Sequence, residues 1–169
     1  MTWQNEMSLI VRHLINDLDS SSYIFTDDRL EESILVATQL MLNEVDFDQT
    51  YTVDVDSSSL SPDPTTLSVK DDPFISLVCL KTSHLLLGSE LKTHSLNSIS
   101  LKDGPSSIDL KGIVQGLKIL YEDLGKRYEH AKLSYQTSGV AGQAVLSPYS
   151  PGSDAVSRVN LSNRLGWFE

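Results

Sequence analysis

Carboxylates are the first residues to test for chemistry, because the chain holds 23 Asp and Glu against 13 Lys and Arg. "DVDSS" (Asp54, Asp56, Ser58) and "DLDSS" (Asp17, Asp19, Ser21) have the opening spacing of a calcium loop. Such a loop needs Gly at its sixth position for the sharp turn and a bidentate Glu at its twelfth. Counted from Asp54, those positions hold Ser59 and Thr65; counted from Asp17, they hold Ser22 and Asp28. Neither loop is complete, and no metal or other cofactor is expected. His13, His84, His94 and His130 are scattered, and each reads as a surface or half-buried helix residue rather than a base. Cys79 lies in the apolar run "FISLVCL" and reads as a small buried hydrophobe, not a reactive thiol. The chain has no GxSxG, GxxxxGKS/T or GxGxxG, hence no nucleophile elbow and no phosphate cradle. The basic cluster "GKRYEHAK" (Gly125–Lys132) reads as a solvated helix face. No reaction centre emerges, so the protein is not expected to be an enzyme.

The elements that would position these residues are mostly helical. Trp3, Met7, Ile10, Val11, Leu14, Ile15 and Leu18 fall at helical spacing and predict a helix over 2–18. Thr26 is placed to cap a second helix over 27–44, with Asp27, Asp28, Glu31 and Glu32 near its positive end. Its buried stripe is Leu30, Ile34, Ala37, Met41 and Val45. Residues 47–70 change character. "TYTVDVD" alternates, with Tyr51, Val53 and Val55 on one face, and predicts a strand; "TLSV" (66–69) is the candidate return strand after a Ser/Pro loop.

Asp71, Asp72 and Pro73 predict a third helix start. The run "PFISLVCLKTSHLLLGSELKTH" is apolar around much of its circumference, which predicts a central helix, with Gly88 at a close contact or a fraying point. No stretch reads as the ~20 apolar residues of a membrane span, and residues 1–17 do not read as a signal peptide. A turn at Asp103-Gly104-Pro105 and a capping box from Ser106 to Asp109 introduce a last helix over 107–136. Its face is Ile113, Leu117, Leu120, Tyr121, Leu124, Tyr128, Ala131 and Tyr135. At 1.5 Å per residue it runs roughly 45 Å, so its far end is expected to project.

Periodicity stops there. Residues 137–169 hold six Ser, four Gly and two Pro with four charges, too little apolar surface to offset the ordering of their own backbone. Large apolar residues are nevertheless dotted along them. Val145, Leu146, Tyr149, Val159, Leu161, Leu165, Trp167 and Phe168 are the candidate anchors of an extended arm that orders on a partner. The expected organisation is a mainly α, four-helix bundle-like domain over 1–136, a β-hairpin excursion at about 47–70, and an arm over 137–169.

Charge is divided along the chain. Residues 1–72 carry fifteen acidic and three basic side chains, a net −12; residues 73–169 carry eight and ten, a net +2. An acidic surface does not grip nucleic-acid phosphates.

The order of features resembles that of the head-to-tail connector proteins of tailed bacteriophages, also called adaptors or head-completion proteins. "YIFTDDRLEESILVA" and "DGPSSIDLKG" with the later "YE.A" carry the resemblance, which covers the layout of residues 5–136. It implies a structural virion protein, made in the host cytoplasm and placed at the head–tail junction. It implies a homo-oligomeric ring, usually of twelve copies, joining the portal protein to an adjacent neck or tail protein while DNA passes without specific binding. The arm would then reach along portal or a neighbouring subunit, and Asp54, Asp56 and Asp63 would face the DNA channel or the next ring. Two other functions fit the same features: another neck component, such as a stopper or tail terminator, and a cytoplasmic helical regulatory module that binds one partner through its C-terminal tail.

Overall fold

The first helix, α1 (Trp3–Ile15), turns Trp3, Met7 and Val11 into the core. The fold is taken from a computed structural model, which describes residues 2–97, 102–103, 106–107 and 111–138. The Thr2 side chain does not cap α1. The Trp3 N–H instead donates to Asp63 Oδ2 at 3.2 Å, a partner 60 residues away. At the other end Asn16 adopts a left-handed φ of 60°, and the Asp17 N–H returns to the Arg12 carbonyl at 2.9 Å. That stop comes earlier than the expected residue 18 and leaves Leu18 48% exposed.

Helix α2 (Asp27–Met41) begins as the sequence requires, with Thr26 Oγ1 accepting from the Arg29 N–H at 3.4 Å. Leu30, Ile34, Ala37 and Met41 are all buried, and Val45 joins them just past the helix end. The stripe is wider than expected, because Leu35 and Thr38 are buried too. Thr38 is tolerated there because its hydroxyl donates to the Ile34 carbonyl at 2.7 Å.

The excursion is a tight hairpin of β1 (Thr52–Asp54) and β2 (Ser59–Ser61), antiparallel, with Val53 opposite Leu60. Tyr51, Val53 and Val55 face inward, as the alternation predicts, and Thr52, Asp54 and Asp56 face out. The return strand is Ser59–Ser61 and not 66–69. The Asp54 carboxylate accepts from the N–H groups of Asp56 and Ser57 at 3.0 and 3.2 Å, which reverses the chain within four residues. Pro62, lacking an N–H, then ends the ladder before 66–69 can join it.

Helix α3 (Asp72–Asn97) is the centre of the bundle and packs against α1 and α2. Asp71 caps it, accepting from the Phe74 N–H at 3.1 Å, and receives the Tyr51 hydroxyl at 2.7 Å. Tyr51 stacks on Phe74 at 3.8 Å between centroids, and Phe47 meets Phe74 edge-on at 5.1 Å. This cluster ties the hairpin to the core; each such side chain contributes about 1.5–3 kcal/mol by leaving water. By hydropathy and length alone Asp72–Leu96 would qualify as a membrane span, contrary to the sequence expectation. Half of its most apolar window is buried inside the bundle, and a helix packed on several sides needs that composition. Cys79 is fully buried, and burial pushes its thiol up to about 12, so it serves as a hydrophobe.

Beyond α3, β3 (Lys102–Asp103) and β4 (Ser106–Ser107) pair antiparallel with Asp103 opposite Ser106. Ser106 is therefore a strand residue and not a helix cap. Helix α4 (Lys111–Ser138) starts four residues later than expected, because the hairpin ladder takes the backbone of 106–107. Among its described side chains Leu124 and Tyr128 are buried, while Leu120, expected on the same face, is 54% exposed. The packing of α4 on α3 runs through small residues. A Cβ at Gly88 would lie 3.0 Å from the Tyr121 ring, and one at Gly125 would lie 3.1 Å from His84 Nε2. Gly88 is thus a close contact, one of the two roles its position allowed.

The described residues form a mainly α, four-helix bundle-like fold with a β-hairpin. The chain divides into two units, Met1–Leu133 and Ser134–Glu169. In the second, the described part is the final turn of α4, where the Ser138 hydroxyl donates to the Tyr135 carbonyl at 2.7 Å.

Candidate functional site

Among the described residues of the helical unit, polar side chains gather at several places, three of which involve the residues the sequence singles out or bury a charge. The first is the hairpin tip. Asp54 and Asp56 are exposed, and Ser58 holds a positive φ of 49°. Hydrogen bonds from Ser57, its side chain before its backbone, hold the Asp54 carboxyl below the ordinary range. That carboxylate faces its own turn and needs no cation to be satisfied. Asp63 has a different environment. One carboxylate oxygen takes the Trp3 N–H, and the other takes both the N–H and the hydroxyl of Thr65, at 2.9 and 2.6 Å. It closes α1 and shapes the loop after β2.

The second place is the loop between α1 and α2, where sequence patterning gave no warning. Arg12 is 5% exposed inside the apolar stripe. Its guanidinium donates to Asp17 Oδ2 at 2.8 Å, to the Phe25 carbonyl at 3.0 Å and to Asp27 Oδ1 at 2.7 Å. The Tyr23 ring lies 3.6 Å from its centre. Asp17, 3% exposed, also accepts from the N–H groups of Ile24 and Phe25. "DLDSS" is therefore a loop fastener: Asp17 binds an internal cation, and Asp19 binds Ser21 and Ser22. Arg12 follows Val11 of the α1 stripe, but nothing in the spacing marks it as a buried charge.

The third place joins the end of α2 to α3 and α4. Glu44 accepts from Lys81 at 2.8 Å and from the Tyr128 hydroxyl at 2.6 Å, with Lys132 at 3.4 Å. Both lysines sit over the Tyr128 ring, at 4.5 and 5.2 Å. Burial pushes the Glu44 carboxyl up, but the bonds from Lys81 and Tyr128 and the two lysine charges outweigh it and hold it to about 2. One turn along α3, His84 stacks on Tyr121 at 4.1 Å. Burial, and then Lys81, push His84 down, toward its neutral form.

In the basic cluster of α4, two of the cations also have partners on the helix itself. Arg127 meets Asp123 at 2.8 Å, and Lys132 meets Glu129 at 2.8 Å. Lys118, nearby on the helix, meets Glu122 at 3.7 Å. These are the i,i+3 and i,i+4 pairs of a solvated helix face. Among the described residues no group of three His, Cys, Asp or Glu is arranged to hold a metal ion.

Exposed apolar side chains are spread over the described residues, from Leu9 on α1 and Ile24 in the loop after it to Val69 and Leu96, with small groups on α2 and α4. Val36 and Leu40 are 42% and 43% exposed one turn apart. Val36 borders an α2–α3 groove of about 380 Å³ floored by Leu85 and Leu86. On α4, Ile119, Leu120 and Leu133 are 65%, 54% and 59% exposed. The arm anchors Val145, Leu146, Tyr149, Val159, Leu161, Leu165, Trp167 and Phe168 lie outside the described residues. The class these features define is a helical bundle with a short hairpin. Comparison with protein-family models, with curated proteins and with solved structures finds no match.

Proposed function

We propose that this protein is a structural, non-enzymatic component of a tailed-phage neck. It assembles as a ring at the head–tail junction, between portal and the next neck or tail protein, and DNA passes through without specific binding. The observation that carries the proposal is the layout itself. A Thr26-capped α2, a hairpin excursion, a central α3 and a long α4 follow one another in the order on which the connector resemblance rests. Exposed apolar residues on α2 and α4 supply faces for neighbouring copies, and ring interfaces of this head-to-tail kind join two different patches. The acidic hairpin tip suits a wall that DNA passes. In this proposal residues 137–169 reach portal or a neighbouring subunit.

The experiment is to mix the purified protein with portal and follow it by size-exclusion chromatography with light scattering and by negative-stain imaging. A ring stacked on portal is the expected result. A monomer or dimer that ignores portal overturns the proposal in favour of a regulatory helical module.

A further inference from the structure

The contact between α3 and α4 is narrow and has a titratable ring at its centre. Among the described side chains of α4, Leu124 and Tyr128 are buried, while Ile119 and Leu120 are 65% and 54% exposed. His84 of α3 adds to this small contact by lying nearly parallel to the Tyr121 ring, at 4.1 Å between centroids and 19° between planes. The edge of the same imidazole meets α4 again at Gly125, where a Cβ would stand 3.1 Å from Nε2. A helix seated through so few side chains opens easily when one of them changes state.

The surroundings suit a neutral ring. Nε2 faces the backbone of α4, whose carbonyls at this point are spent on the helix's own ladder. A neutral imidazole can carry its proton on Nδ1 and leave Nε2 bare; an imidazolium must set an N–H against that backbone. Among the charges near the ring, Lys81 lies one turn before it on α3 and opposes a second cation; Glu44, at the end of α2, holds that lysine at 2.8 Å. Glu129 of α4 favours the imidazolium but is itself exposed. Asp123 and Arg127, on either side of Gly125, are paired with each other at 2.8 Å. Burial first, then Lys81, push His84 down from 6.5, and Glu129 offsets only part of this.

We propose that His84 is an acid-sensitive latch for α4: the neutral ring seats on Tyr121 and Gly125, and its protonation releases that stretch of the helix and bares Leu124. The sign follows from linkage. A base that resists a proton when docked favours docking above its ordinary value of 6.5, and that contribution is lost as pH falls below it. Tyr128 stays tied to Glu44 over this range, because Glu44 takes a proton only toward about 2. The latch does not depend on the neck reading, since it concerns the helical unit alone.

The test follows the full chain by NMR from about pH 7.5 to about pH 5.5, a window centred on the ordinary histidine range. The His84 ring should titrate below its midpoint in the urea-unfolded chain. Amide protection factors around Tyr121 and Gly125, which correct for intrinsic exchange, should fall several-fold across the window, while those of Leu30–Ile34 on α2 hold. His84→Phe keeps an aromatic face on Tyr121 and takes no proton, so its α4 protection should not vary with pH. Should that variant fold poorly, His84→Gln gives the same readout. Tyr121→Leu removes the stack, and the His84 midpoint should rise toward the unfolded value. A folded midpoint at or above the unfolded one overturns the proposal. Unchanged α4 protection in the wild type, or a pH dependence that survives in the His84 variants, overturns it as well.

Discussion

Arg12 and Asp17 form the most consequential pair of single residues, because both are nearly buried, at 6% and 3% side-chain exposure. Arg12→Ala strands the Asp17 carboxylate in the interior, and a cost of about 3–5 kcal/mol is expected in urea denaturation. Arg12→Met with Asp17→Asn removes both charges and should recover part of that loss, giving a positive coupling in a double-mutant cycle. Additive losses would show that the pair does not hold the loop. Glu44 gives a pH prediction. Its folded pKa is depressed from 4.5 to about 2, so its stabilisation is complete above pH 4.5 and is lost as pH falls toward 2. About a third of the side chain is open to solvent, so the discounted contribution is on the order of 1–2 kcal/mol. Glu44→Gln should therefore be less stable than wild type at pH 6, and the gap should shrink at pH 3. A gap independent of pH would remove the ionic account. Neither cluster was legible in the sequence. Their members lie up to 88 residues apart, and periodicity reports which face is apolar, not which charge enters it.

At the scale of elements, the α3–α4 contact rests on Gly88 and Gly125. Gly88→Leu should push Tyr121 off His84 and destabilise by about 1–3 kcal/mol, with faster hydrogen exchange along α4 as the readout. Gly116 has open space around it, so Gly116→Ala should raise stability by up to about 1 kcal/mol through helix propensity. Unchanged α4 exchange in Gly88→Leu would mean that the contact is not limiting. Helix starts and buried stripes were readable because caps and 3.6-residue spacing are local. Thr26 and Asp71 took their capping bonds, and all five stripe residues of α2 are buried. The strands were harder. Three-residue strands carry almost no pattern, and the return strand was decided by where the Asp54 turn closes the chain. The start of α4 was misplaced for a similar reason: Ser106 and Ser107 satisfy a capping pattern and a hairpin ladder equally well until their partners are known.

For the whole molecule, every buried apolar side chain among the described residues falls between Trp3 and Tyr128. A chain ending after Ser138 should keep its helical circular dichroism and a cooperative melt within a few degrees of wild type. It should also lose attachment to portal if the neck proposal holds. Loss of cooperative unfolding would instead place the tail in the core. Asp56→Lys reverses a charge at the exposed hairpin tip and leaves the Asp54 turn in place, since Asp56 enters that turn only through its backbone N–H; particle infectivity should fall while the melting temperature holds, and unchanged infectivity counts against a DNA-facing tip. The charge division was legible from composition, whereas the bonding of Asp63 was not, since it depends on where the loop after β2 meets α1. The closure of α1 by Asp63 also sets an order of events during synthesis. A 13-residue helix is marginal alone, and α1 lacks its distant cap until Asp63 has left the ribosome. The Met7 carbonyl meets the Cys79 thiol across 72 positions, so at 5–20 residues per second the greasy side of α1 waits on the order of 4–14 s for its cover. A nascent chain halted before α3 should therefore bind holdase chaperones, and one released beyond it should not.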